Sequence, residues 1–334
     1  MNERTTKLLH ELVSDGIVPG VSYTMLHNEE EQKEIFGNRQ LEPVVKKLIP
    51  ELKYDVASLT KVVGTTTVIL KLVDEGRLAF DDKVIKYLPG FFDARVTIRH
   101  LLTHTSGITG YIKNRNELNA KQLLEALYTL HVGPTFENEV VYTDIGMIFL
   151  GLIIEKLYAK PVQRVITEIV LEPLKLENST FTPLQSECVP TELTKKRGLI
   201  QGIVHDPKAN ILREHCGSAG LFMSMEDLVK FSRWLLGEGS RKKFFKTDMV
   251  NKLFKDQTPT HNLGRTYGWD LRYNCSNDPC IYHTGYTGTF ILIDKKKQDA
   301  LIVLTNRVHP HTPNNEFLLR RDQIITEYLS EKEI

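Results

Sequence analysis

Ser58 and Lys61 are the pair in this chain whose residue types and spacing point most directly to chemistry. Residues three apart on a helix are neighbours, with Cβ atoms roughly 5–6 Å apart, so Lys61 would lie over the Ser58 hydroxyl. A serine hydroxyl becomes a good nucleophile when an adjacent base takes its proton. Partial burial would move a lysine towards the neutral form that such a base needs. The pair equally fits an ordinary helix start, with Ser58 as the N-cap and Lys61 in solvent.

The chain after Ser58 carries the apolar period of a helix, which would place the pair at the first helical turn. Apolar residues recur at three- and four-residue intervals over 59–73, and Gly76 suits the end of the helix. The stretch 54–57 favours a short β-strand that leads into Ser58. The free N–H groups of the first turn and the positive end of the helix dipole would then face any molecule bound at Ser58.

Predicted strands lie at both ends of the chain, and most of the predicted helices lie between them. An amphipathic helix is predicted within 1–20, and further helices are predicted at 58–75, 97–103, 120–130, 143–158, 161–169, 225–236 and 315–329. Strands are predicted at 21–26, 33–36, 54–57, 267–273, 281–284, 289–294 and 300–305. The uninterrupted apolar runs at 290–293 and 301–304 indicate central strands that are buried on both faces.

This order of elements predicts an α/β fold of the α+β type, in which an antiparallel sheet from the N- and C-terminal segments is flanked by helices. We expect residues 1–57 and 215–334 to form the sheet domain, and residues 58–214 to form an inserted, mostly helical domain. Ligand pockets commonly lie at domain interfaces, so we expect the active site in the cleft between the two domains.

Composition narrows the classes of function. The 334 residues carry a formal net charge of +1 and show no dense basic stripe, which argues against nucleic-acid binding. The most apolar stretch, 145–154, is too short to span a membrane. Charged residues interrupt the N-terminal helix, unlike the apolar core of a signal peptide, so we expect a cytoplasmic protein.

The four cysteines are expected to be free thiols, which is the default state in the cytoplasm. They are Cys188, Cys216, Cys275 and Cys280. The last two, together with His283, have a spacing that matches no common zinc site. We therefore expect neither a metal nor any other cofactor.

Two further motifs lie where they could complete a site around Ser58. Residues 142–144, Tyr-Thr-Asp, open an apolar helix, and residues 283–286, His-Thr-Gly-Tyr, separate two buried strands. Together with Ser58 and Lys61 they resemble the serine β-lactamase and penicillin-binding-protein superfamily, in its branch of class C β-lactamases, D-Ala-D-Ala carboxypeptidases and esterases. That branch carries Ser-x-x-Lys, Tyr-x-Asn, and Lys-Thr-Gly or His-Thr-Gly. The resemblance extends over nearly the whole chain, because flanking phrases also match at 99–107, 202–206 and 218–222.

The resemblance implies a reaction that passes through an acyl-enzyme on Ser58. Ser58 would attack a carbonyl carbon, and Lys61 and Tyr142 would handle its proton as one coupled unit. A cationic Lys61 would favour phenolate character in Tyr142. The backbone N–H groups of Ser58 and Tyr286 would bind the oxyanion of the tetrahedral intermediate.

The remaining motif residues are implied to contact substrate, and two of them depart from the pattern of the branch. Thr284 would offer its hydroxyl to a substrate carboxylate or carbonyl, and Gly285 would let the substrate backbone lie along the strand edge. Asp144 replaces an asparagine and, when ionised, only accepts hydrogen bonds; it fits equally well as a helix cap. His283 replaces a lysine, and we expect it to bind substrate carboxylates below about pH 6.5, where imidazole is charged.

His205 and Asp206 raise the separate hypothesis of a Ser-His-Asp arrangement with Ser58. The chain has no Gly-x-Ser-x-Gly turn of the kind that presents such a serine. Hydrogen bonding within a loop is therefore the better prediction for both residues.

Together these patterns predict a serine hydrolase that cleaves small esters or amides, including D-amino-acid peptides. A true β-lactamase or a penicillin-binding D-Ala-D-Ala carboxypeptidase is the alternative within the enzyme class. A family member that binds a ligand or a partner protein without catalysis is the alternative outside it. The expected partner is a small ester, amide or peptide, with neither nucleic acid nor a membrane span, and the sequence does not indicate an oligomeric state.

Overall fold

The computed structural model describes residues 2–238, 244–312 and 315–331, so Met1 of the predicted N-terminal helix lies outside it. Its strands are β1 Gly20–His27, β2 Glu30–Gln40, β3 Lys46–Lys47, β4 Tyr54–Asp55, β5 Ile108–Thr109, β6 His131–Val132, β7 Leu193–Thr194, β8 Gly198–Leu199, β9 Phe222–Met223, β10 Asp270–Tyr273, β11 Pro279–Thr284, β12 Phe290–Asp294 and β13 Asp299–Thr305. Its α-helices are α1 Glu3–Ser14, α2 Thr67–Asp74, α3 Ile98–Thr103, α4 Ala120–Leu127, α5 Asp144–Tyr158, α6 Val162–Ile166, α7 Pro207–Leu212, α8 Met225–Leu236, α9 Met249–Lys252 and α10 Glu316–Ser330. Two segments are π-helical, Lys61–Thr66 and Thr167–Leu171, and three are short 3₁₀ turns, Val84–Lys86, Gln185–Glu187 and Arg213–His215.

The main sheet joins the two ends of the chain. Its seven strands run in the order β10-β11-β12-β13-β1-β2-β3, and every neighbouring pair is antiparallel. The N-terminal β1 pairs with the C-terminal β13, which places Tyr23 opposite Val303. The predicted antiparallel sheet from both ends of the chain is confirmed. Strands β12 and β13 are buried along their whole lengths, as their apolar runs predict.

Helices cover both faces of this sheet. Alternate side chains of each strand point to opposite faces, so the strands contribute to a core on each face. On one face, Leu9 of α1 and Phe317 of α10 share a core with Leu292 of β12. On the other face, Phe231 of α8 shares a larger core with Ile302 of β13, and that core extends into the helices that follow Ser58.

The helix predicted at 58–75 contains a π-helical stretch that the apolar period does not reveal. Lys61–Thr66 is π-helical, and α-helical geometry resumes at α2. Gly64 lies within this stretch against Ile166 of α6, so closely that a Cβ there would come within 2.9 Å of the Ile166 Cδ1 atom. Single π-turns inside helices frequently occur at functional sites. This one carries Lys61.

The strand predicted at 267–273 is shorter than expected. The Thr266 N–H donates to the Trp269 carbonyl at 3.0 Å, which closes a turn and delays β10 until Asp270. The turn also packs against α3, because the Gly268 N–H donates to the carbonyl of Leu102 at 2.9 Å.

Within the ranges described above, no helix combines the length and the apolarity needed to cross a bilayer. The four cysteines are free thiols, of which Cys275 is exposed and the other three are buried.

Candidate active site

Ser58 and Lys61 lie in direct contact, as their spacing predicts. The Lys61 Nζ atom is 2.6 Å from the Ser58 Oγ atom and donates a second hydrogen bond to the Ser218 carbonyl at 2.8 Å. The Lys61 side chain is fully buried, whereas Ser58 is partly exposed. Lys61 is therefore fixed on one side and presents its ammonium group to the Ser58 hydroxyl.

A strained turn before Ser58 orients the hydroxyl. Ala57 has a φ angle of +46°, a conformation that costs a residue with a side chain about 1–2 kcal/mol. The buried Asp55 carboxylate compensates by accepting the Ala57 N–H at 2.9 Å and the His205 N–H at 2.7 Å. Burial raises the pKa of Asp55, although both hydrogen bonds oppose the shift. A carboxylate outside the Ser-x-x-Lys motif therefore stabilises this turn.

Asp144 lies between two ammonium groups. Its carboxylate is 2.7 Å from the Lys61 Nζ atom and 3.0 Å from that of Lys208, which is also 3.1 Å from Asp206. The four side chains form a row of alternating charges that ends at Ser58.

The charged neighbours of Lys61 in this row shift its pKa. Burial alone would lower the pKa of Lys61, but the charges of Asp144 and Tyr142 and hydrogen bonds to both hold it above its ordinary value. Burial would likewise raise the pKa of Asp144, but Lys61 and Lys208 hold it well below its usual range. Burial does not make Lys61 neutral, because the carboxylate at position 144 outweighs desolvation. Of the two states considered from the sequence, these contacts favour the cationic one that the resemblance implies.

The sequence left open whether Asp144 caps the helix that follows it, and in the structure it does not. The N-cap of α5 is Thr143, whose hydroxyl accepts the Ile145 N–H at 3.2 Å. Asp144 is the first residue of the helix, and its carboxylate points to the lysines instead.

Two cations, Lys61 and Arg265, lie near the Tyr142 ring. The Lys61 Nζ atom is 5.4 Å from the centre of the Tyr142 ring, and the Arg265 Cζ atom is 5.6 Å from the same point. The His104 ring packs against Tyr142 at 4.7 Å between centroids. The Tyr142 side chain is half-exposed, so its ring forms a wall of the open site.

His283 is placed at the site but is kept neutral. Only 4% of the residue is exposed, and its Nδ1–H donates to the Thr284 carbonyl at 3.0 Å. Burial and the charges of Arg265 and Lys61 hold the pKa of His283 well below its ordinary value. The expectation that it becomes charged near pH 6.5 is wrong, because an imidazolium would be desolvated beside two existing cations.

The turn between β11 and β12 is bonded to the strand that precedes Ser58. The Thr287 hydroxyl donates to the Asp55 carbonyl at 2.7 Å, and the Thr289 hydroxyl donates to the Val56 carbonyl at 3.2 Å. Gly285 is needed for this approach, because a Cβ there would come within 2.5 Å of the Val56 carbonyl oxygen. The structure therefore explains glycine at position 285 by the close packing of two backbone segments, and not by contact with substrate.

The predicted oxyanion donors, the Ser58 and Tyr286 N–H groups, belong to the two segments that these bonds join. In the described part of the chain, neither the Ser58 N–H nor the Tyr286 N–H donates a hydrogen bond within the protein. The Arg307 Nε–H donates to the Tyr286 carbonyl at 2.7 Å and so holds the peptide unit that follows this N–H. Two unused N–H donors are what a tetrahedral oxyanion requires.

His205 and Asp206 have other partners than Ser58. The His205 ring contacts the Glu192 carboxylate at 3.0 Å and stacks on the Tyr286 ring, with centroids 5.6 Å apart. Asp206 is the N-cap of α7, since its carboxylate accepts the Ala209 N–H at 2.8 Å. The prediction of a hydrogen-bonding role in this loop fits both arrangements.

Four contributors to the site are missed by the sequence reasoning: Asp55, Lys208, Ser218 and Arg265. Ser218 lies in the phrase 218–222, which was noted for its resemblance alone. Lys208 follows the phrase 202–206, but its contact with Asp144 is visible only in the fold. Asp55 and Arg265 stand out from no pattern.

Comparisons with known proteins identify the family and the fold. A family model described as Beta-lactamase matches residues 5–323. A protein of Escherichia coli (strain K12), named as a D-alanyl-D-alanine carboxypeptidase, is 28% identical over 331 aligned residues, covering 84% of this chain and 74% of the relative. A class C β-lactamase structure superposes with a TM-score of 0.79 at 17% identity, covering 100% of this chain and 96% of that one.

A second solved structure is EstCE1, described as a hydrolase with promiscuous acyltransferase activity. It superposes with a TM-score of 0.77 at 16% identity and covers 97% of this chain and 98% of its own. At such identities the two structures establish the shared fold, and the family match covers nearly the full length. The chain belongs to the beta-lactamase family and is a serine hydrolase of that family.

Proposed function

We propose that the protein hydrolyses small esters or amides through an acyl-enzyme on Ser58. The observation that carries the proposal is the 2.6 Å contact between the Lys61 ammonium group and the Ser58 Oγ atom. A hydrogen bond from a cation to a serine oxygen stabilises the developing alkoxide, and charge-assisted bonds of this kind are the stronger ones.

Because Lys61 is charged, the proton of Ser58 passes to the phenolate oxygen of Tyr142 in this proposal. The Ser58 Oγ atom bonds to the carbonyl carbon, and the carbonyl oxygen becomes an oxyanion that the Ser58 and Tyr286 N–H groups bind. The bond from that carbon to the leaving atom then breaks, and the leaving atom takes the proton from Tyr142. A water molecule repeats the sequence on the ester of Ser58 and releases the acid.

The acyl side of the site differs from the family pattern in charge. Where the pattern has a neutral asparagine, this chain has Asp144 together with Lys208. A carboxylate cannot donate to an acylamino carbonyl, so recognition of a peptide or β-lactam side chain through that position is lost. This supports small acyl groups, as in simple esters and amides, over a β-lactamase that relies on such a side chain.

The non-catalytic alternative conflicts with the arrangement of Ser58, Lys61 and Tyr142. A protein that only binds a ligand gains nothing from a buried ammonium group on a serine hydroxyl, and desolvating that group costs several kcal/mol. The intact contact therefore favours an enzyme.

Hydrolysis of p-nitrophenyl acetate by wild type and Ser58→Ala tests the proposal. Loss of a covalent nucleophile from a cooperative site lowers kcat on the order of 10³-fold or more. The exposed Ser186 supplies the matched control, Ser186→Ala, which is expected to keep wild-type turnover. More than a tenth of wild-type turnover in Ser58→Ala would show that Ser58 is not the nucleophile.

A further inference from the structure

His104 is a buried histidine beside Tyr142 that the proposed reaction does not use. Only 1% of the residue is exposed, and its ring centroid lies 4.7 Å from that of Tyr142. His104 directly follows α3 and has a φ angle of +57°, a left-handed conformation that is uncommon for a residue with a side chain. Such conformations persist where the surrounding structure holds them, and they cluster at active sites.

Three contacts join His104 to three consecutive residues around Tyr142. The His104 carbonyl oxygen accepts the Val141 N–H at 2.9 Å, and the His104 Nδ1 atom accepts the Thr143 N–H in a longer bond of 3.4 Å. The His104 ring packs against the Tyr142 ring. The backbone before Tyr142, the backbone after it and the Tyr142 side chain therefore all contact the same residue.

The bond to Thr143 defines the state of the His104 imidazole. An Nδ1 atom that accepts an N–H carries no proton, so the ring is neutral and its proton is on Nε2. Burial and the positive charges of Arg265 and Lys61 hold the pKa of His104 well below its ordinary value, which preserves this neutral form. An imidazolium would lose the bond to Thr143 and would add a third cation beside Tyr142.

The other nitrogen of His104 shows that stability alone does not explain a histidine at this position. Among residues 2–238, 244–312 and 315–331, the buried Nε2 atom has no hydrogen-bond partner. An unpaired buried donor is unfavourable. An apolar ring of similar size would avoid that cost, but it would provide no acceptor for the Thr143 N–H. Histidine provides both the ring and the acceptor.

The proposed reaction needs the Tyr142 ring in one place. The phenol oxygen must reach the proton of Ser58 and then the leaving atom, and misplacement of such a group by about 1 Å lowers the rate on the order of 100-fold. Residues 140–143, which lead into α5, form neither helix nor strand, and the Tyr142 side chain is half-exposed. The position of the ring therefore depends on its packing and on the bonds of its neighbours.

We propose that His104 is the positioning residue of Tyr142, and that its neutral ring and its two hydrogen bonds hold the phenol where it exchanges a proton with Ser58 and with the leaving atom. The inference rests on the proposed function and adds a residue to it. His104 acts through Tyr142 and not on the substrate.

A double-mutant cycle of His104→Asn and Tyr142→Phe, measured as kcat/KM for p-nitrophenyl acetate, tests the proposal. Asparagine tolerates the left-handed backbone, so His104→Asn removes the ring without adding strain. With Tyr142 present, His104→Asn is expected to lower kcat/KM on the order of 100-fold. In the Tyr142→Phe background there is no phenol to position, and His104→Asn is expected to change kcat/KM by no more than about twofold, because residues that act as one unit are non-additive.

His104→Phe gives a second cycle, which decides the question if His104→Asn does not fold. Phenylalanine keeps a ring against Tyr142 and loses only the acceptor for the Thr143 N–H. Its loss of kcat/KM is expected to be smaller than that of His104→Asn, and it should likewise disappear in the Tyr142→Phe background.

His100→Asn is the matched control, because His100 is a second buried histidine of α3 whose Nε2 atom contacts Glu137 and not the segment around Tyr142. Since it shares no partner with Tyr142, its kcat/KM is expected to stay within about twofold of wild type.

The positioning role is overturned if the loss in the His104 variants is equal in both backgrounds, if these variants keep wild-type activity, or if His100→Asn gives the same loss. Wild-type activity in Tyr142→Phe alone would contradict the proton route of the proposed function and, with it, this role. An equal loss in both backgrounds contradicts this role alone, so the two failures are distinguishable.

Discussion

Asp144 sets the charge of the residue that contacts Ser58. Its carboxylate pairs with Lys61 and Lys208, and burial would lower the pKa of Lys61 if that carboxylate were absent. In Asp144→Asn, the alkaline limb of kcat/KM for a neutral ester is therefore expected to move to lower pH, because Lys61 loses its proton sooner. Rate profiles between pH 6 and 10.5 measure this shift. The matched control is Asp206→Asn, since Asp206 contacts Lys208 and not Lys61.

The same substitution is expected to destabilise the fold. Removing the anion between two buried cations costs on the order of 3 kcal/mol of unfolding free energy at pH 7. The folded-state pKa of Asp144 lies below its ordinary value of about 3.9, so its contribution is present above that pH and disappears as the pH falls through the folded-state pKa. Urea unfolding of wild type and variant should give a constant difference from pH 5 to 8 that shrinks below pH 4. An unchanged alkaline limb and equal stabilities would contradict this role for Asp144.

His283 is expected to contribute no titration to substrate selection. Burial and the charges of Arg265 and Lys61 keep it neutral, with its pKa well below 6.5. The ratio of kcat/KM values for an acidic and a neutral ester should therefore stay flat between pH 5.5 and 8.5 in wild type. A ratio that rises as the pH falls below 6.5 would instead assign the carboxylate to an imidazolium at His283.

At the scale of elements, the turn between β11 and β12 must approach the backbone before Ser58 closely enough to present Tyr286. Gly285 permits this approach, and in Gly285→Ala the new Cβ would lie within 2.5 Å of the Val56 carbonyl oxygen unless the turn moved. A displacement of about 1 Å in such a site costs on the order of 100-fold in rate. We expect kcat/KM to fall by that order for acidic and neutral esters alike.

Gly90→Ala is the matched control for this prediction. Gly90 has no positive φ, and a Cβ there would meet its nearest neighbour, the Tyr128 ring, at an ordinary 3.7 Å. Its kcat/KM should remain at the wild-type value. Wild-type activity in Gly285→Ala would show that the position of Tyr286 does not depend on this contact.

For the molecule as a whole, the sequence predicts the sheet well, because the pattern that indicates each strand lies within that strand. The apolar runs of β12 and β13 and the period of α8 each signal burial within one short segment. The π-helical stretch around Lys61 is missed, because the apolar period of a helix does not distinguish π-helical from α-helical turns.

The residues of the candidate site likewise divide into those that the sequence predicts and those that it misses. Ser58, Lys61, Tyr142 and the turn around Gly285 are found from motifs, since their spacing is visible in the chain. The sequence left the charge of Lys61 open between the neutral form and the cation, and the expectation of a charged His283 near pH 6.5 is wrong. Both charges depend on which side chains the fold brings beside these residues. Arg265 and Lys208 are missed for the same reason.

The central claim is that Ser58 is the nucleophile, and covalent labelling with a fluorophosphonate tests it most directly. In that reaction the Ser58 Oγ atom bonds to phosphorus and fluoride leaves. Digestion with trypsin cuts after Lys53 and Lys61, so the label should appear by mass spectrometry on peptide 54–61 at Ser58. Ser58→Ala should carry none. Labelling of another serine in wild type, or no labelling at all, would contradict the proposed mechanism.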